Sequence, residues 1–221
     1  MTVMPKDVPF IDSFRGDGSV VNLAALEPAD IDFGAMAASL SKLARYNAAC
    51  RCEAYSVAQH SVMGADALMR ETGDAVLAGY FLLHDGHEYL IGDITRPVAQ
   101  LLDHVYAAEQ RRRFQYRGNI LSVRTAIDVI KASMDAVIHQ AAALPPLANM
   151  PLYARQVSGM DERMLRAEGL ALFGQRAAEH LPAEDLPPPK LTGAIRPWGA
   201  MKAELAFVDR LDRYLNIIAR G

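Results

Sequence analysis

Near the start of the chain, two short apolar-rich segments are separated by a polar, turn-forming segment. Residues 10–14 and 19–23 are apolar-rich, and they flank Arg15-Gly16-Asp17-Gly18. Such a tetrapeptide is typical of a tight turn between two antiparallel strands. We therefore predict a small β-hairpin within residues 1–29, as an appendage to the rest of the chain.

From about residue 30 onward the spacing of apolar residues is helical. The first helix is expected to run from a cap at Asp30 or Asp32 to about Asn47. The next two have clear start and stop signals, which are capping residues and terminal glycines: Ser56, Gly73, Asp74 and Gly92. The later helices are expected over about 57–72, 75–91, 98–116, 120–143, 151–175 and 199–220. The pattern predicts an all-α fold, with residues 30–221 as one helical bundle.

Composition and charge indicate a globular protein and argue against nucleic acid binding and membrane-spanning segments. Hydrophobic residues make up 51% of the chain and charged residues 22%, which is enough for a sizeable core. The net charge of -3 offers no basic surface for a nucleic acid polymer. No uncharged apolar run approaches the roughly 20 residues that span a membrane. Cys50 and Cys52 are too close in sequence to bridge each other easily, so we expect a cytoplasmic protein with reduced thiols.

The segment HDGHEYLIGD, residues 84–93, carries the clearest chemical signal. His84 and Asp85 follow an apolar run, and a carboxylate is rarely buried there without a partner or a metal ion. Glu88 lies four residues after His84, so a continuous helix would place it on the same face, where it could handle a proton. His60 lies on the apolar side of the preceding helix. We expect His60, His84 and Asp85 to converge on one cation.

A fourth ligand has to come from a later helix. The candidates are aspartates in apolar surroundings: Asp128, Asp135 and Asp161. Asp161 lies next to Met160 and is followed by Met164 and Leu165, which favours it over Asp128. Asp135 is the weakest of the three.

These residues resemble the signature of the HD-domain metal-dependent phosphohydrolases. Within that superfamily the chain looks most like the bacterial HD-domain 5'-deoxynucleotidases and their uncharacterised relatives, over about residues 30–175. The matching positions are His60, His84, Asp85, Glu88, Gly92, Asp93, Pro97 and Asp161. Arg45 and Tyr46 match an Arg-aromatic pair fifteen positions before the first histidine, with Tyr where the deoxynucleotidase has Trp.

The resemblance implies an all-α HD-domain bundle and a site for one divalent metal ion (Mn, Co, Fe, Zn or Mg). The implied metal ligands are His60, His84, Asp85 and Asp161. Glu88 and Asp93 would be catalytic, Glu88 by handling a proton and Asp93 by orienting the nucleophile or contacting the sugar. Arg45 would bind phosphate and Tyr46 the sugar or base. The implied substrate is a phosphate monoester, with a (deoxy)nucleoside monophosphate first, and relatives suggest a homodimer.

Alternative roles for single residues stay open. Asp93 could be the N-cap of the next helix, Arg45 a charge at a helix C-terminus, and Tyr46 a core residue. Among the remaining histidines, His87 is expected to be partly exposed and not a ligand. Three more are expected at the surface: His104, His139 and His180. Trp198 is expected to anchor the C-terminal helix by packing.

Two other functions remain possible on this scaffold. One is a di-iron oxygenase or a phosphodiesterase, in which His104 and His139 would supply further ligands. The other is a non-catalytic sensor that binds a nucleotide and signals to a partner.

Overall fold

The N-terminal hairpin is present in the computed structural model, which describes residues 10–114, 122–182 and 186–219. Strands β1 (Asp12–Phe14) and β2 (Val20–Asn22) pair antiparallel, with Ser13 opposite Val21. Gly18 in the turn has φ of +83°, a conformation that glycine adopts without strain. The hairpin prediction is confirmed.

The rest of the described chain is helical. Eight α-helices occur in the described residues: α1 (Phe33–Leu40), α2 (Val57–Thr72), α3 (Ala75–Leu83), α4 (Glu88–Ile91), α5 (Arg96–Phe114), α6 (Val123–Ala141), α7 (Pro151–Phe173) and α8 (Ala200–Leu215). Short 3-10 turns connect some of them, at Leu23–Ala25, Pro28–Asp30, Arg45–Ala48, Leu147–Asn149 and Gln175–His180. The protein is therefore all-α with an N-terminal β-hairpin, as predicted.

Capping residues determine where α2 begins and ends and where α3 begins. The Ser56 side chain accepts a hydrogen bond from the backbone N–H of Gln59, and the Asp74 side chain accepts one from Leu77. Gly73 ends α2 in the left-handed conformation, with φ of +72°. All three signals are read correctly from the sequence, because they depend only on residues within one turn.

The first predicted helix is shorter than expected. It starts after the Asp32 cap but ends at Leu40, not near Asn47. Three consecutive residues then adopt positive φ, namely Tyr46 (57°), Asn47 (53°) and Ala48 (55°). A contact with a later segment explains the difference, because the Arg45 N–H donates to the Tyr55 carbonyl at 2.9 Å and so draws this part of the chain towards the start of α2.

The predicted helix over 75–91 is also interrupted. Helix α3 ends at Leu83, and α4 begins only at Glu88. The intervening turn is tightened by short-range backbone hydrogen bonds, including Gly86 N to Leu83 O at 2.8 Å and Glu88 N to Asp85 O at 3.0 Å. His84 and Glu88 are therefore not on one continuous helix face, and the expectation based on that face is wrong.

The core is built around α2 and α3. Every residue of α2 from Val57 to Leu68 is buried, as is every residue of α3 from Leu77 to Leu83. Helix α8 packs onto them through one stripe of buried residues: Ala203, Phe207, Leu211 and Tyr214. Trp198, just before α8, packs against this core, and its backbone N–H donates to Gln59 Oε1 at 2.8 Å. This position fits the predicted packing role of Trp198.

The contact between α2 and α3 depends on Gly64. A Cβ atom at this position would lie 2.1 Å from Cε1 of Phe81, whose ring is completely buried. We therefore expect Gly64→Ala to lower the free energy of unfolding by about 1–3 kcal/mol, measured by urea denaturation.

Gly159→Ala is the matched control for this prediction. Gly159 lies inside α7, and a Cβ there would meet nothing within 4 Å. Replacing glycine by alanine in an open helical position removes its conformational cost, so the control is expected to be neutral or stabilising by up to about 1 kcal/mol. Equal effects at the two positions would contradict the role given to Gly64.

Two expectations from composition concern the chain as a whole. Within the described ranges, no helix combines the length and the apolar character needed to cross a membrane. Cys50 and Cys52 are both free thiols, which agrees with the expectation that they do not bridge.

Candidate metal centre

Four side chains predicted to bind a metal ion meet at one point. His60 is contributed by α2, His84 and Asp85 by the turn after α3, and Asp161 by α7. Nε2 of His60 lies 3.3 Å from Nε2 of His84, 3.8 Å from Oδ2 of Asp85 and 3.3 Å from Oδ1 of Asp161. Nε2 of His84 lies 3.2 Å from Oδ2 of Asp85 and 3.8 Å from Oδ1 of Asp161.

These separations fit the coordination of a single cation. Nitrogen and oxygen ligands placed tetrahedrally at about 2.1 Å from a metal ion lie about 3.4 Å from one another. The five distances above, each measured from Nε2 of His60 or His84 to another ligand atom, are 3.2–3.8 Å and bracket this value. Two imidazoles and two carboxylates form a donor set that suits several divalent ions. Within this set, His60, His84 and Asp161 each have a ligand atom within 4.8 Å of the other two, so they could hold a metal ion.

Both imidazole rings are held with Nε2 facing the common point. Nδ1 of His60 contacts Oε1 of Glu168 at 2.6 Å, and Nδ1 of His84 contacts the Phe81 carbonyl oxygen at 2.6 Å. Each acceptor favours the tautomer in which Nδ1 carries the proton, and this leaves the Nε2 lone pair free. A carboxylate or carbonyl behind the ring is the usual way in which proteins orient a histidine ligand.

Glu168 belongs to the site but was not among the candidates found from the sequence. Its side chain is completely buried, and besides His60 it accepts hydrogen bonds from the hydroxyls of Tyr46 (2.8 Å) and Tyr55 (2.9 Å). A signal was available, because Glu168 lies seven residues after Asp161, two helical turns along α7, in a row with buried residues: Val157, Met160 and Met164. A carboxylate inside an apolar stripe indicates a buried partner.

Arg45 lies among the carboxylates of this site. Nη1 is 3.2 Å from Oδ2 of Asp85, and Nη2 is 4.0 Å from Oδ1 of Asp161. Nε is 3.2 Å from Oε2 of Glu168, without the alignment of a hydrogen bond. Burial disfavours the charged guanidinium, but the carboxylates of Glu168 and Asp85 outweigh it and raise the pKa of Arg45. Arg45 is thus a fixed positive charge beside the metal ligands, and it does not end a helix.

Tyr46 packs against the inside of the protein next to Arg45. Its ring meets Phe173 edge-on, with centroids 5.3 Å apart, and its hydroxyl is bonded to Glu168. Burial, and then the negative charge of Glu168, raise the pKa of this phenol. These contacts match the core-packing interpretation, while contact with a sugar or base stays a prediction.

The protonation of the site follows from its packed charges. Burial opposes the imidazolium form of His84, but the carboxylates of Asp85 and Asp161 raise the pKa of His84 well above its usual value. Burial opposes the anionic form of Asp85 too, yet His84 and Arg45 hold its pKa well below the ordinary range. The carboxylates therefore remain ionised, and their negative charge favours positively charged groups at the site.

Glu88 and Asp93, the predicted catalytic residues, lie beside these ligands. Glu88 is only 5% exposed, and its Oε2 has no hydrogen-bond partner in the part of the chain that the structure describes. Burial, followed by the charges of Asp85 and Asp93, raises the pKa of Glu88 to about 9. Burial also raises the pKa of Asp93. Helix α5 begins at Arg96, so Thr95 precedes its first residue and Asp93 does not occupy the N-cap position.

The other candidates for the fourth ligand lie elsewhere. Asp128 is exposed on α6, and Asp135 is engaged with Nδ1 of His87 at 2.8 Å. Asp161 is the aspartate that meets the two histidines, as favoured from the sequence. With a side-chain exposure of 34%, against 0% for His60, Asp161 also marks the side on which the site opens to solvent.

Two histidines are more deeply buried than expected. His87 is 4% exposed and His139 is 2% exposed, so the expectations of partial and full exposure are wrong. His139 is buried because α6 presents it to α3, where its ring meets Tyr80 edge-on at 5.2 Å. His104 and His180 are exposed, as predicted. Within the described ranges, neither His104 nor His139 belongs to a group of side chains close enough to share a metal ion.

Comparison with known proteins does not assign the chain to a family. No protein-family model matches the chain, and no curated protein matches it. The chemistry of the site therefore has to follow from its own side chains.

Proposed function

We propose that this protein is a metal-dependent phosphohydrolase of the HD type, which cleaves a phosphate monoester. The leading substrate is a (deoxy)nucleoside monophosphate. The observation that supports this proposal is the convergence of four side chains: Nε2 of His60 and Nε2 of His84 each lie 3.2–3.8 Å from one another and from carboxylate oxygens of Asp85 and Asp161. The order of these residues along the chain is the order in the HD signature.

His60, His84, Asp85 and Asp161 would hold one divalent cation, and Mn, Co, Fe, Zn and Mg remain candidates. Such a cation lowers the pKa of a bound water and neutralises charge on a phosphoryl oxygen. Glu168 and the Phe81 carbonyl keep the two imidazoles aimed at the shared position.

Arg45 would bind the phosphate. Its guanidinium lies within 4.0 Å of both Asp85 and Asp161, so a phosphoryl group at this site would meet a fixed positive charge. Guanidinium groups offer paired N–H donors that match phosphate oxygens. In the overall reaction one water adds to phosphorus and the ester P–O bond breaks, which yields an alcohol and inorganic phosphate.

Glu88 supplies the proton-handling group in this scheme. Its buried side chain is next to Asp85, and its unpartnered Oε2 is free to accept a hydrogen bond from a water at the site. The proton removed from the water has to reach the leaving oxygen, and a carboxylate near both can carry it. Asp93 would orient the water or contact the sugar of the substrate.

Phosphate release from nucleoside monophosphates tests this proposal. Chelator-stripped protein is supplied with Mn²⁺, Co²⁺ or Mg²⁺ and offered deoxyribonucleotides and ribonucleotides in parallel. We expect release only when metal is present, and faster release from the deoxy forms. If metal is bound but no nucleotide releases phosphate, the proposed reaction is contradicted while the metal site stands.

A further inference from the structure

A second group of potential metal ligands lies directly beside the first. One ligand atom from each of Asp85, His87 and Glu88 lies within 4.8 Å of the other two. His87 and Glu88 are 4% and 5% exposed. The proposed phosphohydrolase chemistry gives no role to His87 and so does not account for its burial.

Each of these two buried residues has a polar atom without a partner. Nε2 of His87 and Oε2 of Glu88 make no hydrogen bond within the described ranges. None of the ion pairs found among the described residues includes Glu88. A buried polar atom that is left without a hydrogen-bond partner costs folding free energy. Two such atoms in one small group point to a ligand between them.

Asp135 orients His87 in the way that metal-bound histidines are usually oriented. Nδ1 of His87 lies 2.8 Å from Oδ1 of Asp135, which is contributed by α6. The carboxylate favours a proton on Nδ1, so the lone pair is on Nε2, the same atom that has no partner among the described residues. A carboxylate behind the imidazole fixes its tautomer and makes it a better ligand.

We propose that Asp85, His87 and Glu88 hold a second divalent cation, and that Asp85 bridges it to the first. The inference deepens the proposed function and rests on it for the first cation. It also reassigns Glu88 from proton carrier to ligand. Pairs of metal ions about 3.5–4 Å apart stabilise both the attacking and the leaving oxygen in phosphate ester cleavage. Mixed nitrogen and oxygen donors favour Mn²⁺, Fe²⁺, Co²⁺ or Zn²⁺ at this position.

Metal content distinguishes one cation from two. The full-length protein is loaded with Mn²⁺, freed of excess metal, and analysed by elemental mass spectrometry and by electron paramagnetic resonance. We expect about two Mn²⁺ per chain and a spin-coupled signal, as in other two-metal sites. His87→Ala and Glu88→Gln should each retain about one ion and lose the coupled signal. His104→Ala, which changes an exposed histidine, should keep both.

Asp135→Asn serves as a milder variant in case His87→Ala fails to fold. It preserves the size of the side chain but removes the charge behind His87. We expect it to weaken the second ion by ~10–100-fold without changing the first, since this is the usual effect of losing an orienting partner. Titration with Mn²⁺ measures both affinities.

The outcomes separate this inference from the proposed function. One Mn²⁺ per unmodified chain, lost in His60→Ala but kept in His87→Ala, would overturn the second site and leave the first. Two ions that survive both His87→Ala and Asp135→Asn with unchanged affinity would overturn the assignment of ligands. No bound Mn²⁺ at all would overturn both proposals.

Discussion

Asp85→Ala is expected to lose metal binding and phosphate release together. Asp85 groups with His87 and Glu88, and its Oδ2 is also 3.2 Å from both His84 Nε2 and Arg45 Nη1. Loss of a residue that only orients a metal ligand already costs ~10–100-fold in affinity, so loss of a direct ligand should cost more than about a hundredfold. Competition against a coloured chelator measures the affinity, and the nucleotide panel measures the activity.

Asp128→Ala is the control for this experiment. Asp128 is an exposed aspartate on α6, and it was the main alternative to Asp161 in the sequence. Its replacement should leave both metal affinity and phosphate release unchanged, whereas Asp161→Ala should behave like Asp85→Ala. A metal-loaded, fully active Asp85→Ala protein would refute the assignment of the site.

Features fixed by neighbouring residues were predictable from the sequence. The Ser56 and Asp74 caps and the left-handed Gly73 involve contacts within one helical turn, and all three are found as expected. The convergence of His60, His84 and Asp85 was also predictable, because a His-Asp pair that follows an apolar run is rarely buried without a metal ion or a charged partner.

Features fixed by contacts between distant segments were not predictable. The helical spacing of apolar residues in the sequence continues through His84, yet α3 ends at Leu83. The ring of His84 contacts the Phe81 carbonyl oxygen, and a tight turn takes the place of regular helix from His84 onward. His139 looked like a surface residue because its sequence neighbours are polar. Only the packing of α6 against α3 shows that its ring is buried.

Glu168 is the most important site residue that the sequence did not predict, and it shows why a site extends beyond its motif. The motif contains the residues that meet the cation, but the residue behind His60 is 108 positions away. Nothing local requires a glutamate at position 168, since its partners come from α2 and from the segment that precedes it. The same carboxylate ties Arg45, Tyr46 and Tyr55 to α7. Its removal should therefore affect both stability and metal binding.

Glu168→Ala is expected to lower the free energy of unfolding by about 3–5 kcal/mol, the usual cost of removing one partner from a buried charged network. The change leaves the Arg45 guanidinium without its nearest buried carboxylate and the hydroxyls of Tyr46 and Tyr55 without their shared acceptor. It also frees the His60 ring to rotate, so metal affinity should fall by ~10–100-fold. Urea denaturation of the metal-free protein and Mn²⁺ titration measure the two effects separately.

Glu162→Ala is the matched control, because Glu162 is exposed on the same helix six residues earlier. A surface substitution of this kind should change stability by no more than about 0.5 kcal/mol. If Glu168→Ala lowered metal affinity but left the urea midpoint at that of Glu162→Ala, Glu168 would only orient His60. If it lowered stability but left metal affinity unchanged, the His60 ring would be held by its packing against Phe81 instead of by this carboxylate. Both effects are expected because one fully buried side chain makes both sets of contacts.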